Sequence, residues 1–273
     1  MKMKLHGPYF SKQDVIPDVN LKLPHQWLEQ SHLRFETECL ICAAQEQALN
    51  TRYIQKMIWK KKCSPLYRLC KERPETVAHI VSGCKMLAAN KYTFRHNQVA
   101  TYLHWNILRD RGFKVTENWL LHKTQELVTR GGVTITWDMA ITTDKKVKCN
   151  IPDIIIHDSN TRSYQSIDVA IPICTNIVSK NAEKITKYRE LGIELQKCWN
   201  LTEVKNHTGY MWSVGYSWGE YRNLPKNDIT PNKIQCDPEN RFTRHSSYPE
   251  KLPNLNFFCS FLLDNYMSKN ELI

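Results

Sequence analysis

Residues 153–171, DIIIHDSNTRSYQSIDVAI, decide the fold. Two apolar, β-branched runs, 153–157 and 164–171, flank the turn-forming stretch Asp158, Ser159, Asn160, Thr161, Arg162, which predicts a β-hairpin. With the turn midpoint between Asn160 and Thr161 and no bulge, Asp153 stands opposite Asp168. Cross-strand neighbours have Cβ atoms about 5 Å apart, so two such carboxylates could share one divalent ion and would otherwise repel. Asp168 is expected on a polar face with Ser166 and Ala170, while Ile167, Val169 and Ile171 face a core.

Upstream, Val133, Ile135, Trp137, Met139 and Ile141 alternate with Thr134, Thr136, Asp138 and Ala140, the pattern of a half-buried strand that Gly131 and Gly132 introduce. Downstream, residues 182–199 are expected to form one helix with Ile185, Tyr188, Leu191, Ile193 and Leu195 on its apolar side. Lys184 and Lys187 lie at i, i+3 on that helix, with Tyr188 one turn from Lys184. Carboxylates beside lysines form a constellation suited to phosphodiester cleavage, with the cation stabilising charge on phosphate. A solvated strand end and a solvated helix face are the plainer alternatives. Residues 90–110 form a second expected helix, with Val99, Leu103 and Ile107 in phase, and residues 25–60 a third, with a stripe from Phe35 through Ile41, Ala44, Leu49 and Ile54 to Met57 and Ile58. That helix runs into Lys60, Lys61 and Lys62, which read equally as a solvated C-terminal cap or as phosphate contacts.

Residues 63–84 are punctuated by Cys63, Cys70, His79 and Cys84, with C-x8-H-x4-C spacing over the last three. Thiolates and imidazole in a segment this poor in apolar residues predict a structural zinc knuckle. Unrelated buried thiols and a surface histidine are the alternative, and Tyr67 occupies the position where a close C-x2-C pair would need a cysteine. Cys39 and Cys42 also have ligand spacing, but their apolar helical neighbours favour packing.

The 273 residues carry 38 Lys+Arg against 27 Asp+Glu, a net charge of +11. Residues 203–273 hold 8 basic and 8 acidic side chains, so the excess lies in residues 1–202 and points to a polyanionic partner. No apolar run approaches the roughly 18–20 residues of a bilayer span, which excludes a transmembrane helix and gives no reason to expect a membrane partner. The start, MKMKLHGPYFSKQD, lacks the apolar region of a secretory signal. Ten cysteines without such a signal imply a reducing compartment.

The runs ICAAQEQALNTRYI, CKERPETVAHIVSGCKMLA, RHNQVATYLHW, TWDMAITTD, PDIIIHD, SIDVAIPICTNIVSKNAEKITKYREL and ELQKCWNL occur in order over residues 24–202. Together they resemble the C-terminal region of non-long-terminal-repeat retrotransposon polyproteins, where a Cys-Cys-His-Cys knuckle and a restriction-like PD-(D/E)xK endonuclease follow the reverse transcriptase. The resemblance implies an α/β, restriction-endonuclease-like mixed sheet flanked by helices and preceded by a helical segment and a small zinc knuckle. It implies an Mg²⁺-dependent DNA nuclease, a hydrolase that nicks target DNA, with Asp153 and Asp168 as metal ligands. Lys184 would be the catalytic lysine, supported by Lys187 and Tyr188, and Asp138 an additional acidic member. Arg95 and His96 would contact DNA, and Cys63, Cys70, His79 and Cys84 would hold Zn²⁺. DNA is the expected partner, with RNA second, and the expected location is nuclear, otherwise cytoplasmic, and not secreted. The alternative is a catalytically inactive nucleic-acid-binding remnant, and beyond it a decayed chain without a stable fold.

The resemblance departs at Tyr67, at Ile151, where a basic residue is usual, and after Leu201, where the family's Val/Ile-rich strand gives way to TEVKNHTGYMWSVGYSWGEYRNL. The expected organisation is therefore a helical segment at 1–62, a knuckle at 63–90, a nuclease core at 91–202, and a divergent tail at 203–273. That tail is a candidate for disorder, and its divergence threatens a core strand.

Overall fold

The computed structural model describes residues 35–171 and 177–210 and divides into two compact units. The expected helical residues 25–34 and the tail from 211 lie outside the described residues, as does the side chain of Ile185. Among the described residues no helix is long and apolar enough to cross a membrane. The seven described cysteines are free thiols.

The first unit contains described residues up to Arg95. Two helices, α1 (Phe35–Gln45) and α2 (Arg52–Met57), replace the single helix expected over 25–60. The chain breaks between them at Gln47, in the left-handed region at φ 58°, and Thr51 restarts it by accepting the Ile54 N–H at 3.3 Å. The break ends the expected stripe: Ile41, Ala44 and Leu49 are buried, whereas Phe35, Met57 and Ile58 are exposed. Tyr67, Val77, Ile80, Val81, Cys84 and Leu87 complete the same core, so the helical and Cys-punctuated segments fold as one body.

The second unit begins at His96, within helix α3 (Thr93–Asp110), on which Val99, Leu103 and Ile107 are buried as their spacing predicts. A five-stranded mixed sheet follows in sequence order: β1 (Leu127–Arg130), β2 (Val133–Trp137), β3 (Ile154–Asp158), β4 (Ser163–Ala170) and β5 (Glu203–Tyr210). β1 to β4 are antiparallel neighbours, and β5 runs parallel to β4. Helices α4 (Ile177–Lys187) and α5 (Arg189–Cys198) make the crossover that parallel pairing requires. The chain is thus an α/β protein.

Gly131 and Gly132, at φ 58° and 82°, form the two-residue turn between β1 and β2, a backbone that favours glycine. β1 escapes sequence reading because it is short and largely exposed. β2 stops at Trp137, short of the expected Ile141, because Asp138 turns left-handed at φ 45°. The β3–β4 register pairs Ile154 with Ile167 and Ile155 with Ser166, the unbulged hairpin expected.

Two expectations are corrected. The polar face of Ser166, Asp168 and Ala170 does not lie away from the core: these residues are buried like Ile167 and Val169, since β4 is a central strand and α5 brings Leu191 and Leu195 to a core with Ile155 and Tyr164. Residues 203–210 are not part of a disordered tail but supply β5, paired with β4 over eight residues. Val204 packs on that core, and Ser166 donates to Asn206 Oδ1 at 2.6 Å. A Cβ on Gly192 would lie 2.9 Å from Val204 Cγ1, so glycine permits the approach of α5 to β5.

Candidate functional site

Tyr188, which separates α4 from α5 at φ −103° and ψ 8°, focuses the polar centre of the second unit. The break splits the helix expected over 182–199 and turns the Tyr188 hydroxyl inward, 2.7 Å from Ile151 O and 3.1 Å from Asp168 Oδ1. Burial, reinforced by the Asp168 charge, holds this phenol far above its ordinary pKa, so it stays protonated and donates. Lys184 pairs with Asp168 Oδ2, and Lys187 Nζ lies 3.7 Å from Oδ1 and 4.4 Å from the Tyr188 ring centroid. The i, i+3 lysines therefore converge on one carboxylate that is 2% exposed. Among the described residues no well-aligned hydrogen-bond donor joins Lys184 at Asp168 Oδ2.

Continuing the β3–β4 register puts Asp153 across from Asp168, and the Val169 N–H donates to Asp153 Oδ2 at 2.6 Å. His96 Nε2 lies 3.2 Å from the same oxygen and 3.2 Å from Val169 O. Burial opposes the Asp153 charge, but the His96 and Val169 donors, with Lys184 nearby, outweigh it and hold the carboxyl below its ordinary pKa. Burial likewise opposes a charge on His96, and Asp153 outweighs that and raises the imidazole. Asp153 Oδ1 accepts no hydrogen bond among the described residues. The hairpin thus carries two carboxylates, one held chiefly by histidine and a backbone N–H, the other by two lysines and a phenol, with Lys184 acting on both.

Asp138 is exposed and forms no tight three-ligand group with these carboxylates. Its N–H extends the β2–β3 pairing to Asp153 O at 2.9 Å. Arg95 is buried in the first unit with its guanidinium 5.3 Å from the Tyr92 ring centroid, so it does not present the accessible DNA contact expected of it. His96 directs its Nε2 to Asp153, a role that spacing could not reveal because the two residues are far apart in sequence.

In the first unit, Cys70, His79 and Cys84 bring one potential ligand atom each within 4.8 Å of one another, a group that could hold a metal ion. A local turn builds it: Tyr67 N–H donates to Arg73 O at 2.8 Å, and Leu66 bridges Pro74. Cys70 lies at the tip, and Lys71 turns left-handed at φ 57°. Burial disfavours the Cys70 thiolate, but the Glu72 and Arg73 N–H groups overcome it and lower this thiol. His79 Nε2 lies 3.2 Å from Cys70 Sγ, and burial, then the Arg73 charge, favours its neutral, ligating form. Tyr92 ties the His79 turn to the chain beyond it, donating to Ile80 O at 2.9 Å and accepting the Cys84 N–H at 3.0 Å.

Cys63 is not in this group. Its thiol points to Arg52 O at 3.9 Å, because the Leu66–Pro74 bridge separates residue 63 from the loop tip. Tyr67 is buried beside the cluster with its ring edge-on to His79, centroids 5.6 Å apart. Cys42 packs on the core and Cys39 is exposed, so neither joins the group.

No protein-family model and no curated protein matches the chain.

Proposed function

We propose that this chain is a retrotransposon-derived, Mg²⁺-dependent DNA endonuclease with a restriction-like core and a structural zinc knuckle. The reading rests on the convergence of Lys184 and Lys187 on buried Asp168, with Asp153 across the hairpin. Such an arrangement suits charge stabilisation at a phosphate better than it suits fold stability, since buried ion pairs are weak stabilisers. β5 adds support, because it completes the sheet that the divergence after Leu201 threatened.

Asp153 and Asp168 would hold the Mg²⁺: their donors are hard oxygens, and Asp153 Oδ1 accepts no other bond among the described residues. A bound Mg²⁺ would act as a Lewis acid toward the phosphate. His96 keeps Asp153 oriented, and Tyr188 does the same for Asp168. Lys184 would position the attacking water and stabilise charge as the water oxygen bonds to phosphorus and the strand's P–O bond breaks. Cys70, His79 and Cys84 suit zinc through their soft donors, with Tyr67 where a fourth ligand would come. The location would be nuclear and the parent protein reverse-transcriptase-associated, with DNA, and secondarily RNA, as partner.

Nicking of supercoiled plasmid tests the reading. Wild type is expected to nick with Mg²⁺ and stop with EDTA, while Asp168→Asn and Lys184→Gln each lose about 10²-fold or more. Absence of nicking by protein that still shifts DNA would establish the second reading, a binding remnant. Metal analysis tests the knuckle: one zinc per chain is expected in wild type and Cys63→Ser, and none in Cys84→Ser.

A further inference from the structure

The segment that follows the first turns of α2 presents an unusual surface. Residues 56–62, KMIWKKK, are exposed without interruption, and Met57, Ile58 and Trp59 are 47%, 50% and 50% accessible. The backbone holds this arrangement. α2 closes when the Ile58 N–H donates to Ile54 O at 2.8 Å, Lys60 turns left-handed at φ 55°, and the Lys61 N–H returns to Gln55 O at 2.9 Å. A lysine in that conformation costs on the order of 1 kcal/mol, so the turn is imposed by its surroundings.

The charge is as one-sided as the exposure. Residues 56–62 contain four lysines and no acid, and among the described residues no carboxylate pairs with any of the four. Lys61 Nζ lies 5.3 Å from the centre of the Trp59 ring. An exposed indole among ammonium groups that no carboxylate of the described residues pairs combines the two elements that bind a strand without sequence preference: a stacking platform for a base and cations for the flanking phosphates. Duplex DNA offers the phosphates but keeps its base faces stacked. A lipid surface is a poorer match, because interfacial anchoring uses a longer amphipathic helix, whereas α2 has six residues.

We propose that residues 56–62 form a binding surface for single-stranded nucleic acid, with a base stacked on Trp59 and phosphates held by Lys60, Lys61 and Lys62. This surface lies in the first unit and does not depend on the nuclease reading.

Anisotropy of labelled 20-mer oligo(dT) and oligo(U), titrated with the full chain in EDTA across a salt series, tests it. Trp59→Ala is expected to weaken binding about tenfold at unchanged salt dependence, with Trp59→Phe between it and wild type. Replacing Lys60, Lys61 and Lys62 by Gln should reduce the slope of log K against log salt by roughly 2. A greater loss for one oligonucleotide identifies the preferred strand, and a duplex of the same length should be insensitive to Trp59→Ala. Because these residues are exposed, thermal melts should match wild type. Unchanged oligonucleotide affinity in both the tryptophan and lysine variants overturns the proposal, as does binding that these residues support only on phosphatidylserine vesicles. Nicking is read separately, so failure there leaves this surface standing.

Discussion

Glu75, with no exposed surface, accepts hydrogen bonds from Arg68 Nε and Nη2, both at 3.1 Å, from the Arg68 N–H at 3.4 Å and from the Arg52 N–H at 3.1 Å. It joins the turn that carries Cys70 to the first residue of α2. Glu75→Gln would leave a guanidinium and backbone donors without their anion, and is expected to cost roughly 2–4 kcal/mol in urea unfolding. Glu72→Gln, which loses only the exposed pair with Lys85 at 2.9 Å, should stay within about 0.5 kcal/mol of wild type. In sequence both glutamates belong to the charged run KERPE and look alike; only the Arg68 fork and the start of α2, brought together by folding, distinguish them. The same holds at the candidate site. The hairpin register that, continued one residue, sets Asp153 across from Asp168 was legible in the sequence, as was the lysine spacing, but His96 became a partner of Asp153 only when α3 met the sheet.

α3 also reaches the sheet through His104, whose ring lies edge-on to Trp137 with centroids 5.4 Å apart and whose Nδ1 is 2.9 Å from His122 Nε2. Its Nε2 is buried without a partner among the described residues. Burial, and then the proximity of His122, lowers His104 to about 4. The folded state therefore refuses a proton that the unfolded chain accepts below about pH 6.5, so stability is full above that pH and falls as pH drops toward 4. Over that interval the group should remove roughly 3 kcal/mol, and burial lowers His122 in the same direction. Urea midpoints of wild type at pH 7.5 and 4.5 should differ by more than those of His104→Gln; equal differences would refute the assignment. The 3.6-residue period made α3 readable because one face is buried along its length. It failed between α1 and α2 and at Tyr188, where unlike side chains continue a helical pattern through a backbone break.

At the scale of the whole molecule, β5 determines whether the second unit is complete. A chain ending at residue 202 would expose the β4 edge and lose Val204 from the core, and is expected to lose the cooperative unfolding of that unit; a chain ending at 210 should keep it. Calorimetry of the two truncations distinguishes them, and equal transitions would mean that β5 contributes little. EVKNHTGY has one aliphatic side chain and no alternation, so nothing local marks it as a strand. Its identity comes from parallel backbone hydrogen bonds to β4, across a crossover that no window of sequence contains. By itself the sequence determined the hairpin register, the buried stripe of α3, the paired lysines and the C-x8-H-x4-C ligand spacing, all properties of neighbours along the chain. Tertiary structure alone decided that Asp168 is buried, that His96 compensates Asp153, that Cys63 stays away from Cys70, His79 and Cys84, and that residues 203–210 are a strand of the sheet. Each of these depends on which distant segment arrives to take up a charge, a hydrogen bond or a strand edge.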